Sequence, residues 1–165
     1  MFKSLKAQGA LGITLAAAGI LMITMGARQS IGLFVGPINT STGLGIATIS
    51  FALAIAQFTW GAVQPLAGAA ADRWGPRAVL VGGIVLLALG TALTPLIGSG
   101  AGLVFTQGLL VAMGAGAGSF SVLIGAAAQR LPAEARGAAS GVINAGGSLG
   151  QFVFAPLAQK LIQLF

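Results

Sequence analysis

The sequence contains no cysteine and no histidine, and only two of its 165 residues are acidic. Without cysteine, disulfides, thiolate catalysis and cysteine-based metal sites are excluded. Hydrolytic and general acid–base chemistry depends on histidine, carboxylate and similar groups, which are nearly absent from this chain. The sequence therefore predicts no enzymatic activity, no cofactor and no metal site.

Charge of either sign is also scarce. Charged residues make up 6% of the chain and hydrophobic residues 56%, whereas about a quarter of the residues of a soluble domain are charged. The net charge of +6 is compatible with a nucleic-acid partner. However, the basic residues lie in short clusters between long apolar segments, which is typical of a membrane protein. We therefore expect a lipid bilayer as the partner, and no nucleic acid.

Five segments are long and apolar enough to cross a bilayer, whose hydrocarbon core of about 30 Å needs about 20 residues of helix. The predicted fold class is an all-α membrane protein, a multi-span transmembrane helix bundle in which residues 1–165 form one transmembrane domain. The predicted spans are approximately 9–38, 46–71, 78–97, 102–128 and 137–164.

The distribution of basic residues predicts the orientation of these spans. Basic residues occur before the first span and in the links that follow the second and fourth spans: Lys3, Lys6, Arg73, Arg77, Arg130 and Arg136. The other two links, 39–45 and 98–101, carry no charge. Since Lys and Arg favour the cytoplasmic side, we expect a cytoplasmic N-terminus and a C-terminus outside. Lys160, near the end of the last span, can extend to the interface.

The first residues also allow a second interpretation. Two lysines followed by an apolar run containing the small residues 16–19 resemble a cleavable signal peptide. The apolar stretch continues well beyond those small residues, which favours a retained membrane span.

Glycine is frequent inside the predicted spans, with 27 residues in the chain. Gly137 and Gly141, and also Gly146 and Gly150, are pairs of small residues four positions apart, and glycine alternates with alanine over 114–118. Small residues let membrane helices approach closely. The 114–118 run is not a dinucleotide-binding loop, because Ser119 stands where the third glycine would be and no strand precedes it. These glycines therefore predict helix packing.

The link after the second span contains a distinctive motif. It reads Gly68, three alanines, Asp72, Arg73, Trp74, Gly75, Pro76 and Arg77. We expect Gly68 to permit a close helix contact, Gly75 with Pro76 to form a tight turn, and the arginines to lie at the inner surface. A simpler interpretation is an ordinary basic cytoplasmic loop with one stray acidic residue. The spacing and the position between the second and third spans favour the motif.

This motif resembles the signature loop of the major facilitator superfamily, which implies that Gly68, Asp72, Arg73, Gly75 and Arg77 act as a conformational gate. Further segments, 26–37, 60–68 and 146–152, resemble monocarboxylate porters and oxalate–formate exchangers. Such proteins typically have twelve spans in two halves. The resemblance therefore implies an incomplete N-terminal half of the fold, about five of twelve spans. It also implies a partner, either the missing C-terminal half or a second copy of the chain.

At two positions this sequence differs from the drug antiporters of the superfamily. Those antiporters carry an arginine in the fourth span, where this chain has Val104, and a Gly-Pro pair in the fifth, where this chain has Gly150 and Gln151. Both differences disfavour drug efflux.

Arg28 is the main candidate for substrate binding, because it lies well inside the first apolar segment. A charge inside a membrane segment is costly and is usually functional. At helical spacing Thr24, Arg28, Gly32 and Gly36 form one small and polar stripe, as expected for a wet cavity. A guanidinium can hold a carboxylate by two hydrogen bonds. The alternative is that the first helix ends near Gly26 and places Arg28 at the outer interface.

Amides within the spans are further candidates for substrate binding. We include Gln29, Gln107 and Asn144 in the predicted site, although each can instead bond a neighbouring helix. Asp72 and Glu134 both lie at cytoplasmic helix ends, so no acidic residue here is placed to carry a coupled proton.

The resemblance and Arg28 together predict transport of a small solute across a bacterial inner membrane by alternating access, with an organic anion such as a monocarboxylate as substrate. Two alternatives remain. The first is a truncated or oligomerising membrane subunit that does not itself transport. The second is an efflux pump for apolar compounds.

Overall fold

The structure is a computed structural model that describes residues 9–164, and it contains helices, turns and short links but no strand in that range. The predicted all-α fold class is confirmed. The expectations for Lys3 and Lys6 fall outside the described residues.

Five long helices follow one another in the described part of the chain, close to the five predicted spans. Their bounds are Ala10–Thr42 (α1), Ile46–Trp74 (α2), Pro76–Leu96 (α3), Gly100–Ala128 (α4) and Ala133–Leu164 (α5).

Helix α1 ends at Thr42, four residues later than predicted. A glycine in the left-handed backbone conformation follows it. Gly43, with φ of +67°, caps the helix and donates its N–H to the Asn39 carbonyl. The Asn39 side-chain oxygen accepts the N–H of Gly45 at 2.9 Å, and Gly45 also has a positive φ of +84°. A side chain would be strained at either glycine. The turn therefore occupies only residues 43–45.

Two of the helices change their geometry along their length. Helix α1 is an α-helix over Ala10–Ser30, a 3₁₀ helix over Ile31–Phe34 and an α-helix again over Val35–Thr42. Helix α4 contains a π-helical segment, Val104–Val111. It is then interrupted at Gly118 and Ser119, between Ala112–Ala117 and Phe120–Ala128.

Four helices in the described range, α1 to α4, are long and apolar enough to cross a membrane. Helix α5 has 32 residues and is about 48 Å long at 1.5 Å per residue, which also exceeds the bilayer core. It is less apolar than the other four because it contains several glycines and polar residues. That α5 crosses the membrane therefore stays a prediction.

The chain divides into two compact units. The described part of the first unit contains residues 9–29 and 118–164, and the second unit contains Ser30–Ala117. In the second unit Ile49, Ala52 and Leu103 form a buried cluster.

Large apolar side chains are exposed on both units. Phe58 and Leu96 of the second unit are 75% and 78% exposed, and Phe152 of the first unit is 77% exposed. An exposed apolar surface of this kind is expected of a chain whose solvent is lipid.

Candidate functional site

Arg28 lies inside α1, and the helix does not end before it. The α-helical part continues to Ser30 and the whole helix to Thr42. At 1.5 Å per residue Arg28 is about 27 Å from the start of α1, and the helix ends 14 residues after it, at Thr42. Its side chain is half-buried. The alternative of a helix ending near Gly26 does not describe this structure.

Helix α1 is packed tightly against α5 over the two turns that precede Arg28. A side-chain carbon added at Gly146 would lie 2.6 Å from the Ala18 carbonyl oxygen, and one at Gly150 would meet the Met22 carbonyl. One at Gly26 would lie 2.6 Å from the Phe154 ring. The predicted packing role of the Gly146 and Gly150 pair is therefore confirmed, and this contact holds α1 just before Arg28.

The other glycine pair of α5 does not pack in this way. A side-chain carbon at Gly137 or Gly141 would have no neighbour within 4 Å in the described chain. The expectation of a close helix contact at this pair is wrong for the described residues, because the pair faces open space.

The interruption of α4 is adjacent to α1 in the first unit. The Thr24 hydroxyl lies 3.3 Å from the Gly118 carbonyl oxygen. Thr24 is 6% exposed and precedes Arg28 by one helical turn. The sequence predicted that Thr24 lies on the same helix face as Arg28. It did not predict the interruption of α4. The signal for it was Gly118 followed by Ser119, a flexible residue and then a preferred helix N-cap.

The remaining predicted substrate residues occupy different positions. Gln29 is exposed beside Arg28, and Asn144 is exposed on α5, where its backbone carbonyl accepts the Ser148 hydroxyl at 3.4 Å. Arg28, Gln29 and Asn144 belong to the first unit, whereas Gln107 belongs to the second.

Gln107 takes part in a bonded pair that joins α4 to α3. Its side chain is 6% exposed, and its amide nitrogen donates to the Thr94 hydroxyl at 2.8 Å. That hydroxyl in turn donates to the Gly90 carbonyl at 2.7 Å. The Gln107 amide group therefore contributes to helix packing within the second unit.

The motif at residues 68–77 contains the turn between α2 and α3. Gly75, with φ of +87°, is at once the C-cap of α2 and the N-cap of α3, and Pro76 is the first residue of α3. Proline is well suited to that position because its missing N–H has no helical acceptor there. The predicted tight turn at Gly75 and Pro76 is confirmed.

The charged residues of the motif lie on the surface. Asp72, Arg73 and Arg77 are exposed, and the Arg73 guanidinium carbon lies 5.5 Å from the centre of the Trp74 ring, within the range of a cation–π contact.

The position of Gly68, the first residue of the motif, differs from the expected close helix contact. A side-chain carbon there would have no neighbour within 4 Å in the described chain. The close helix contact expected at Gly68 is therefore wrong for residues 9–164, since α2 presents this position to open space.

No group of three or more histidine, cysteine or acidic residues lies close enough to hold a metal ion within the described range. The candidate residues carry a guanidinium, amides and a hydroxyl. Such groups bind an oxyanion through hydrogen bonds and charge.

Comparison with known proteins gives a consistent result. The chain is similar to a protein of Oxalobacter formigenes named oxalate:formate antiporter, with 28% identity over 145 residues, which cover 88% of this chain and 34% of that protein. This chain thus spans about a third of the relative's length. The expected resemblance to oxalate–formate exchangers is confirmed. Residues 16–165 match the sequence pattern of the Major Facilitator Superfamily, and the chain belongs to that family.

Proposed function

We propose that this chain is part of a transporter that moves a small organic anion, such as a monocarboxylate, across a membrane by alternating access. Membership of the Major Facilitator Superfamily supports membrane transport in general. The similarity to a protein named oxalate:formate antiporter supports a carboxylate as substrate.

The observation that carries the choice of an anion is the position of Arg28 within α1. Every other charged residue in the described range lies in a link or within four residues of a helix end. Arginine stays charged in proteins and presents a planar fork that matches a carboxylate. An intramembrane charge is costly and is usually retained for function. Arg28 therefore attracts and orients the anionic group.

The amides supply further hydrogen bonds in this proposal. Gln29 and Asn144 are exposed in the same unit as Arg28, where their N–H groups can donate to carboxylate oxygens. Gln107, in the second unit, donates one N–H to Thr94, and its amide group is included in the proposal as a further solute contact. Gly68, Asp72, Arg73, Gly75 and Arg77 serve as the conformational gate.

We further propose that the chain lies in a bacterial inner membrane with its N-terminus in the cytoplasm. It works with additional helices, supplied by the rest of a longer protein or by a second copy. The relative's greater length and the exposed apolar side chains support this arrangement.

The function is tested by reconstituting the full-length protein into liposomes and measuring the flux of oxalate, lactate and a cationic dye. We expect saturable flux of at least one carboxylate and none of the dye. Dye flux without anion flux would support an efflux pump for apolar compounds. An absence of all flux from correctly inserted protein would support a non-transporting subunit.

A further inference from the structure

The interruption of α4 leaves a backbone carbonyl that a neighbouring helix satisfies. In an uninterrupted helix the Gly118 carbonyl would accept the N–H of Val122. In the described chain the first such bond after the break is instead from Leu123 to Ser119. The Gly118 carbonyl accepts the Thr24 hydroxyl of α1. Unsatisfied backbone groups are costly in a membrane, so a side-chain hydroxyl in this place has a clear energetic role.

The Thr24 hydroxyl can bond either within its own helix or across to α4. It lies 3.0 Å from the Ile20 carbonyl, 3.2 Å from the Leu21 carbonyl and 3.3 Å from the Gly118 carbonyl. A hydroxyl has one proton and donates to one acceptor at a time. The Gly118 carbonyl therefore shares the single Thr24 proton with two carbonyls of α1.

The same two residues are also in close steric contact. A side-chain carbon added at Gly118 would lie 2.9 Å from the Thr24 methyl carbon, whereas the next side chain, Ile20, would be at an ordinary 3.8 Å. Position 118 is therefore limited to glycine mainly by the Thr24 methyl group.

Thr24 and Arg28 are linked through the helix that they share. The two residues are four positions apart on an α-helix that is uninterrupted to Ser30, so their side chains lie on one stripe, one above the other. A contact that fixes the rotation of α1 at Thr24 also fixes it one turn later.

We propose that Thr24 is a positioning residue, which holds α1 against the interruption of α4 so that Arg28 is directed toward the anion. This inference rests on the proposed function. It assigns a role in affinity to a hydroxyl that does not itself contact the substrate.

The first test measures oxalate affinity and saturated transport in the full-length protein carrying Thr24→Val, Thr24→Ser or Thr14→Val. Thr14 is the matched control, because it is fully buried on the same helix and its hydroxyl bonds the local Ala10 carbonyl. We expect Thr24→Val to raise the oxalate Kd about threefold, the loss typical of one interhelical hydrogen bond in a membrane protein, with little change in maximal rate. The Thr24→Ser variant retains the hydroxyl, so its oxalate Kd should be close to that of the wild-type protein.

The second test uses steric rescue and does not depend on removal of the hydroxyl. Gly118→Ala should weaken oxalate binding, and Thr24→Ser in the same protein should restore it, because serine lacks the methyl group that the new side chain meets. Gly125→Ala is the control on α4, since a side chain there has no neighbour within 4 Å. A failure of Thr24→Ser to rescue Gly118→Ala would overturn the inference.

Arg28→Ala, measured in parallel, separates the two proposals. If Arg28→Ala weakens oxalate binding and Thr24→Val behaves as Thr14→Val does, the positioning role is wrong and the anion site stands. If Arg28→Ala changes nothing, the anion site is wrong, and any effect at Thr24 does not act through Arg28.

Discussion

Single glycine residues determine how closely α3 and α4 approach each other in the second unit. A side-chain carbon at Gly114 would lie 2.5 Å from both the Gly83 carbonyl oxygen and the Leu87 backbone nitrogen. One at Gly83 would lie 2.7 Å from the Ala117 side chain and 3.0 Å from the Gly114 carbonyl oxygen. Backbone atoms cannot move aside as a flexible side chain can, so an added methyl group at either glycine destabilises the contact.

The neighbouring residues Gly82 and Gly83 provide a matched test of this contact. Gly83→Ala should destabilise the folded protein by about 1–3 kcal/mol, the usual cost of overpacking. A side chain at Gly82 has no neighbour within 4 Å, so Gly82→Ala should be neutral or slightly stabilising because alanine favours helix. Thermal unfolding in detergent measures both variants. Equal stability of the two would contradict the packing described.

At the residue scale the sequence predicted which surfaces are able to pack but not which ones do. The run 114–118 and the pair Gly146 and Gly150 were predicted correctly as contact surfaces. Gly68 and the pair at Gly137 and Gly141 have the same small side chains but face open space. Whether a small residue packs depends on where a second helix lies. The local sequence does not specify that position.

Helix α4 is the element whose geometry departs most from a regular helix. Its π-helical segment contains Gln107, which bonds Thr94 of α3, and Gly108, where an added carbon would lie 3.2 Å from Ile55 of α2. Single π-helical turns are often found at functional sites. This segment thus combines irregular backbone with contacts to two neighbouring helices.

Because Gln107 and Thr94 share a hydrogen bond, we expect substitution of either residue to lower the stability of the folded protein by a similar amount. Gln107→Ala and Thr94→Val should each destabilise the protein by about 0.6 kcal/mol, the average for interhelical hydrogen bonds measured in a membrane protein. Thr91→Val is the control, because the Thr91 hydroxyl bonds the Leu87 carbonyl of its own helix. Thermal unfolding and oxalate affinity are measured together. A loss of affinity by Gln107→Ala with unchanged stability would instead support the direct substrate role.

The ends of the helices could be predicted more readily than their interior irregularities. Gly43, Gly75 and Pro76 mark turns by their own backbone preferences, and the structure places turns there. The sequence of Val104–Val111 is that of an ordinary apolar helix, and its π geometry became evident only in the structure, where the segment contacts α2 and α3. The interruption at Gly118 had only a weak local signal.

For the molecule over residues 9–164, the number and order of the long helices followed from the apolar segments and their links. Charge placed only at alternate links predicts the orientation, because basic residues favour the cytoplasmic side. The division of the chain into two units could not be predicted, since it depends on contacts between residues distant in sequence.

The absence of cysteine makes this orientation directly testable. Single cysteines at Gly98, Ala133 and Gln163, all exposed positions, are treated with a membrane-impermeant maleimide in intact cells. We expect labelling at Gly98, which lies in an uncharged link, and none at Ala133 before permeabilisation. Labelling at Gln163 is expected if α5 crosses the membrane. Labelling at Ala133 but not at Gly98 would reverse the proposed orientation.

The most direct measurement of the central claim is the oxalate affinity of the full-length protein with Arg28→Ala, Arg28→Lys and Arg130→Ala. Hydrogen bonds to charged groups contribute about 1.5–3 kcal/mol, so Arg28→Ala should weaken binding about tenfold or more. Arg28→Lys should retain part of the affinity, because lysine keeps the charge but not the planar fork. Arg130→Ala removes the same charge from an exposed link and should bind as wild type. Unchanged affinity in both Arg28 variants would contradict the account.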